Sequence, residues 1–171
     1  MSASLSFSED QLVSELWARD VRFLRGSLST STPLLTPASL MASLAQSANA
    51  RVRFSLIPLL LRHPEFSAEA KKADGLLSKQ TNQYVLRFYY TAAVFLQRKY
   101  QQQMSRLFGK QPQLPDLFSN ILGVPPEKDP DLALEQLAKQ HQVLSGQFIN
   151  WLGTYKHAAE VWLKQMELQK A

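Results

Sequence analysis

The chain has 171 residues, 45% of them hydrophobic, no cysteine and a net charge of +5. That is enough apolar content to bury a substantial core as a single domain over residues 1–171. The missing cysteines exclude disulfides, thiolate nucleophiles and Cys-ligated metal centres, and point to a reducing compartment with the cytoplasm as the default.

The first segment, MSASLSFSEDQLVSEL, lacks the basic leader and apolar block of a secretory signal. Instead it opens a helix. Ser8 and Gln11 have the spacing of a capping box, Phe7 and Leu12 that of a hydrophobic staple. Leu12, Val13, Leu16, Trp17, Val21 and Leu24 follow at helical spacing, and Gly26 is placed to end the element. Residues 27–36 form a Ser/Thr/Pro linker, at whose end Thr36-Pro37 reads as an N-cap with proline in the first turn.

Leu40, Met41, Leu44, Ala45 and Ala48 supply the buried side of the second helix, which either pauses near Asn49 or runs on into RVRFSLIPLLLRHPEF. The apolar run Phe54 to Leu61 is eight residues long, against roughly 20 for a membrane span. No membrane is expected. Val52, Leu56, Leu59 and Leu60 describe a buried helix that Pro58 kinks or breaks and that ends before Pro64. Ser67 is placed to cap a shorter helix interrupted at Asp74-Gly75.

Residues 78–108 contain neither Gly nor Pro, and Tyr84, Phe88, Phe95 and Leu107 trace one face of what reads as one long central helix. A Pro-rich connection over 109–129 follows, with Leu114, Leu117, Phe118 and Ile121 expected to pin it across the bundle. Asp129-Pro130 starts another helix carrying Leu132, Leu134, Leu137 and Val143/Leu144, and Ser145-Gly146 permits a break. The last helix shows the stripe Phe148, Leu152, Tyr155, Ala159, Trp162, Met166. No segment alternates as a strand does. The predicted class is all-α, an irregular bundle of five to seven helices.

Catalytic signatures are sparse. His63, His141 and His157 lie far apart, without an HExxH pattern, so no metal or other cofactor is expected. There is no phosphate-cradling GxxxxGK[ST] or GxGxxG and no GxSxG elbow. An all-α HEPN ribonuclease places an Arg four to six residues before a His, a spacing absent here; Arg62-His63 is the least remote alternative.

Function is therefore sought on the surface. Residues 1–50 carry three Lys/Arg against four Asp/Glu, 51–110 eleven against three, and 111–171 five against seven. The basic middle third places Arg51, Arg53, Arg62, Arg87, Arg98, Lys99 and Arg106 as candidates for nucleic acid or an acidic partner, interleaved with Tyr90, Tyr100 and Gln101 to Gln103. Trp17, Trp151 and Trp162 are candidate protein-interface residues, Trp151 first because it lies off the last helix's stripe.

VRFSLIPLLLRHPEF, LRFYYTAAVFLQRKY, LPDLFSNILGV and NWLGTYKHAAEVWL, in that order over residues 50–165, resemble a group of small bacterial helical proteins whose genes neighbour nucleotidyltransferase domains. The resemblance carries no catalytic motif. It implies a non-enzymatic, antitoxin-like or regulatory subunit that pairs with a nucleotidyltransferase. The expected function is protein–protein interaction, including homo-oligomerisation; the alternatives are a nucleic-acid-binding helical domain and a HEPN-like ribonuclease lacking the usual motif.

Overall fold

Three helix starts written in the sequence are built as read. In the computed structural model, which describes residues 7–24 and 33–170, helix α1 spans Glu9–Ala18 and its capping box is complete: the Ser8 side chain accepts from Gln11 N–H while Gln11 reaches back to the Ser8 N–H. Thr36 caps α2 (Pro37–Ala45) by accepting from Ser39 N–H, and Asp129 caps α9 (Pro130–Ser145) by accepting from Asp131 N–H. Most of the linker and its neighbour Gly26 lie outside the described residues.

The first helix ends earlier than its apolar spacing predicts. At Ala18 the chain turns into a Schellman motif: Val21 N–H bonds to Leu16 C=O at 2.9 Å and Asp20 N–H to Trp17 C=O at 3.0 Å, with Asp20 left-handed at φ 63. Val21 and Leu16, both fully buried, supply the apolar contact that completes it. Beyond the turn, the buried carboxylate of Glu15 accepts from Leu34 and Leu35 N–H and pairs with Arg19 at 2.6 Å, which fixes the approach to α2.

The helical pattern pauses at Asn49, which caps the short α3 (Ala50–Phe54) through Arg51 N–H. Helix α4 (Leu56–Arg62) begins after Ser55, three residues before Pro58. Proline has no N–H for the carbonyl four residues back, so the ladder breaks ahead of it. Leu56 through Leu61 are all buried. After His63 a 3-10 turn over Pro64–Glu69 leads into α5 (Ala70–Leu76), which carries Asp74-Gly75 without interruption.

The single helix expected over 78–108 is two: α6 (Gln80–Lys99) and α7 (Gln101–Phe108), separated by Tyr100 at φ −104, ψ 22. The halves share one neighbour. Helix α6 packs on α9, α4, α2 and the last helix, α10 (Trp151–Lys170), and α7 packs on α10 as well. From Phe88 to Gln97 every α6 residue is buried, which makes α6 the middle of the bundle.

The connection that follows is pinned, though not by every residue expected to do so. Leu114, Phe118, Leu122 and Val124 are buried, while Ile121, on the one-turn α8 (Ser119–Leu122), is 64% exposed. Helix α10 (Trp151–Lys170) completes an all-α architecture, with no strand among the described residues. The buried apolar side chains form one continuous cluster drawn from α1, α2, α4, α6, α9 and α10.

Candidate functional site

The turn between α9 and α10 brings three exposed apolar side chains, among them Phe148, close to a buried imidazole, that of His141. Helix α9 directs Ala133, Leu134, Leu137 and His141 inward, at helical spacing. Gly146, left-handed at φ 68, ends it. Residues 147–149 have no regular structure, and Asn150 restarts the chain as a helix by accepting from Gly153 N–H at 2.9 Å. A Cβ on Gly153 would sit 2.7 Å from the Asn150 side-chain amide, so the capping side chain would have to shift to admit one.

Under this corner lies an aromatic stack. The His141 ring is parallel to Phe88 (4.1 Å between centroids, 4°) on one side and to Trp151 (3.6 Å, 12°) on the other. Its Nδ1 shares a 2.5 Å hydrogen bond with the Tyr155 hydroxyl. Burial drives the imidazole down from 6.5 to about 3 and the Tyr155 hydroxyl well above its ordinary range. Both groups are therefore neutral at physiological pH.

On top of the corner the chain is apolar and uncovered. Phe148 is 90% exposed, Val143 71% and Ile149 46%. Beside them Ala138, Gln142, Asn150 and Leu152 line a shallow groove of about 260 Å³. Phe148 was expected on the stripe of the last helix. It precedes the Asn150 cap, so the helical stripe never reaches it and begins instead with Trp151, followed by Tyr155, Ala158, Ala159, Trp162 and Met166. The signal in the sequence was Asn150 with Gly153, read as a cap and its third helical position.

Two of the three tryptophans expected at an interface are buried within the chain. Trp151 is 7% exposed and Trp162 fully buried, the latter stacked on Phe108 at 5.6 Å. Trp17 is half-buried, donates from Nε1 to Leu24 C=O at 2.9 Å, and lies under the Arg22 guanidinium. The apolar bulk of Trp151 and Trp162 fills the core, which Trp17 does not join.

The predicted basic band disperses. Arg87 makes a two-pronged contact with Asp74, both bonds 2.9 Å, and Lys99 pairs with Asp131 at 2.5 Å. Arg53 donates to Ser47 C=O at 2.7 Å, and Arg51 is exposed on α3. Arg62 lies over the Phe108 ring at 4.7 Å, 3.7 Å from Asp20, in a cleft of about 630 Å³ that also admits Arg106 and Lys170. Of the interleaved aromatics, Tyr90 is buried and donates to Pro115 C=O, and the Tyr100 hydroxyl lies 3.0 Å from the Glu160 carboxylate.

His63 is held by Arg19 C=O, 2.6 Å from Nε2, and by the Glu65 carboxylate, 3.0 Å from Nδ1. The Nε2 contact joins the end of α1 to the end of α4, while the Nδ1 contact is local to the turn that follows. His157 is exposed on α10. Among the described residues no helix is long and apolar enough to cross a membrane, and no three His, Asp or Glu side chains gather as a metal site would require. A scan against protein-family models and searches of curated proteins and of solved structures return no match for this chain.

Proposed function

We propose that this chain is a non-enzymatic helical partner subunit of a bacterial cytoplasm that binds another protein through the α9–α10 corner. The observation that carries this reading is Phe148, 90% exposed between Val143 and Ile149. Large aromatics in such positions supply much of the energy at protein interfaces. The rigid stack of Trp151, His141 and Phe88 directly beneath keeps the corner from folding inward. The resemblance drawn from the sequence makes a nucleotidyltransferase-domain protein the first partner to test, with a second copy of the chain as the other occupant.

The nucleic-acid alternative is less favoured because Arg62, Arg87 and Lys99 each face a carboxylate. The test is co-expression of the tagged chain with a nucleotidyltransferase-domain protein encoded beside it, followed by size-exclusion chromatography with light scattering. A complex is expected that survives nuclease and high salt and is lost in Phe148→Glu. A complex of unchanged yield in Phe148→Glu and Val143→Glu, or one dissolved by nuclease, overturns the proposal.

A further inference from the structure

The break at Tyr100 leaves a second feature, on α6 and α7 rather than at the corner. After α7 the chain turns back at Gly109, whose positive φ of 75 suits glycine, and returns along α6 as an extended strap. Gln97, itself 7% exposed, fastens that strap at two points: its Nε2 donates to Pro112 C=O at 2.9 Å and its Oε1 accepts from Leu114 N–H at 2.8 Å. The Tyr90 hydroxyl adds a third bond, to Pro115 C=O at 2.8 Å. A strap held this way cannot close against α7, and a groove of about 270 Å³ remains between them.

Its chemistry is one-sided. Two cations line it, Arg98 and Lys110, and no carboxylate does. Neither forms an ion pair with any described residue, in contrast to Arg62, Arg87 and Lys99. The Arg98 guanidinium rests over the Phe95 ring at 5.4 Å and also borders a neighbouring cleft that Phe95, Asp116 and Glu127 line, with neither carboxylate close enough to form an ion pair with it. The amides of Gln101, Gln111 and Gln113 supply donors and acceptors around the rim, and Met104 forms an apolar floor.

Two unneutralised cations call for a dianion; paired amides call for a body that both donates and accepts; and the volume falls just below the usual range for small-ligand sites. We propose that this groove binds a small organic phosphate of mononucleotide size, with the phosphate between Arg98 and Lys110 and a hydrogen-bonding heterocycle against the glutamine amides and Met104. Guanidinium and ammonium bonds to phosphate are the charge-assisted kind that hold most of the affinity at such sites. The proposal is independent of the apolar corner, since no residue is shared between the two.

The experiment is titration of the full chain with nucleoside monophosphates, the matching nucleosides, inorganic phosphate, a dicarboxylate and a short single-stranded oligonucleotide, followed by calorimetry. Saturable binding of a monophosphate is expected, about tenfold or more tighter than its nucleoside. Arg98→Ala and Lys110→Ala, both at exposed positions, are each expected to lower that affinity about tenfold, Lys110→Ala with no change in melting temperature and Arg98→Ala with only the small decrease that loss of its contact with Phe95 entails. Gln101→Ala is expected to weaken the nucleotide and leave inorganic phosphate unaffected. Absence of saturable binding at millimolar ligand overturns the proposal. So does equal binding by the Arg98→Ala/Lys110→Ala double variant or by the dicarboxylate, and so does an oligonucleotide bound more tightly than any monophosphate with a steep salt dependence.

Discussion

The indole of Trp151 lies 3.6 Å from the imidazole of His141, centroid to centroid and nearly parallel, so that the first residue of α10 is stacked on the buried face of α9. The contact joins two helices across a connection that contains the chain's most exposed phenylalanine.

Truncating Trp151 is accordingly a core substitution. Trp151→Ala removes one layer of a three-ring stack and opens a cavity beside His141, for which a loss of about 3 kcal/mol is expected. Urea denaturation measures it directly. A change under about 0.5 kcal/mol, the level of an ordinary surface substitution, would show that the indole is not packed as described.

The same stack makes stability depend on acid. The unfolded chain protonates His141 below its ordinary value of 6.5, whereas the folded chain resists protonation down to about 3. Between those values the unfolded state binds more protons, so stability falls as pH falls, by about 1.4 kcal/mol per pH unit from this group; above 6.5 its contribution is constant. Stability measured from about pH 6.5 to 5, ahead of most carboxylate titration, is expected to decline in the wild type. In the double variant His141→Phe/Tyr155→Phe, which keeps the ring stack and leaves no orphaned hydroxyl, that decline is expected to flatten. Parallel slopes in the two proteins would contradict the assignment.

Asp20 occupies the left-handed position of the α1 Schellman motif, where glycine is the usual residue. Its carboxylate faces Arg22 at 3.6 Å and Arg62 at 3.7 Å, but it is about half exposed, and such pairs contribute little. Relief of the backbone therefore outweighs loss of the ion pairs. Asp20→Gly is expected to stabilise the fold by about 0.5–1 kcal/mol, and Asp20→Ala, which keeps a β-carbon without a polar group, to destabilise it by a similar amount. Thermal melts of the two variants should bracket the wild type; both falling below it would mean that the carboxylate matters more than the backbone.

What was legible in the sequence was what neighbouring residues decide among themselves. The caps at Ser8, Thr36 and Asp129 and the break ahead of Pro58 follow from groups within four residues of one another. The Tyr100 break is different. No Gly or Pro marks it; α6 lies among α9, α4, α2 and α10, and the chain bends at Tyr100 so that α7 continues along α10. Trp151 was assigned outward because the stripe was extended through Phe148, two residues before the point where Asn150 caps the helix. The basic band dissolved for a related reason: the carboxylates of Asp20 and Asp131 come from α1's end and α9, far from Arg62 and Lys99 in sequence. Helical class was written locally, whereas the surface was decided by tertiary pairing.

The α9–α10 connection has one further consequence, which concerns entropy. It is only a few residues long, and both of its ends are fixed, one by Gly146 closing α9 and the other by Asn150 opening α10 above the ring stack. Phe148 is thus displayed on a mount that is already ordered. A protein docking there would immobilise little more than that one side chain, at about 0.5–1.5 kcal/mol, rather than a whole loop at 1–2 kcal/mol or so for each backbone residue. A small contact area can then suffice for binding.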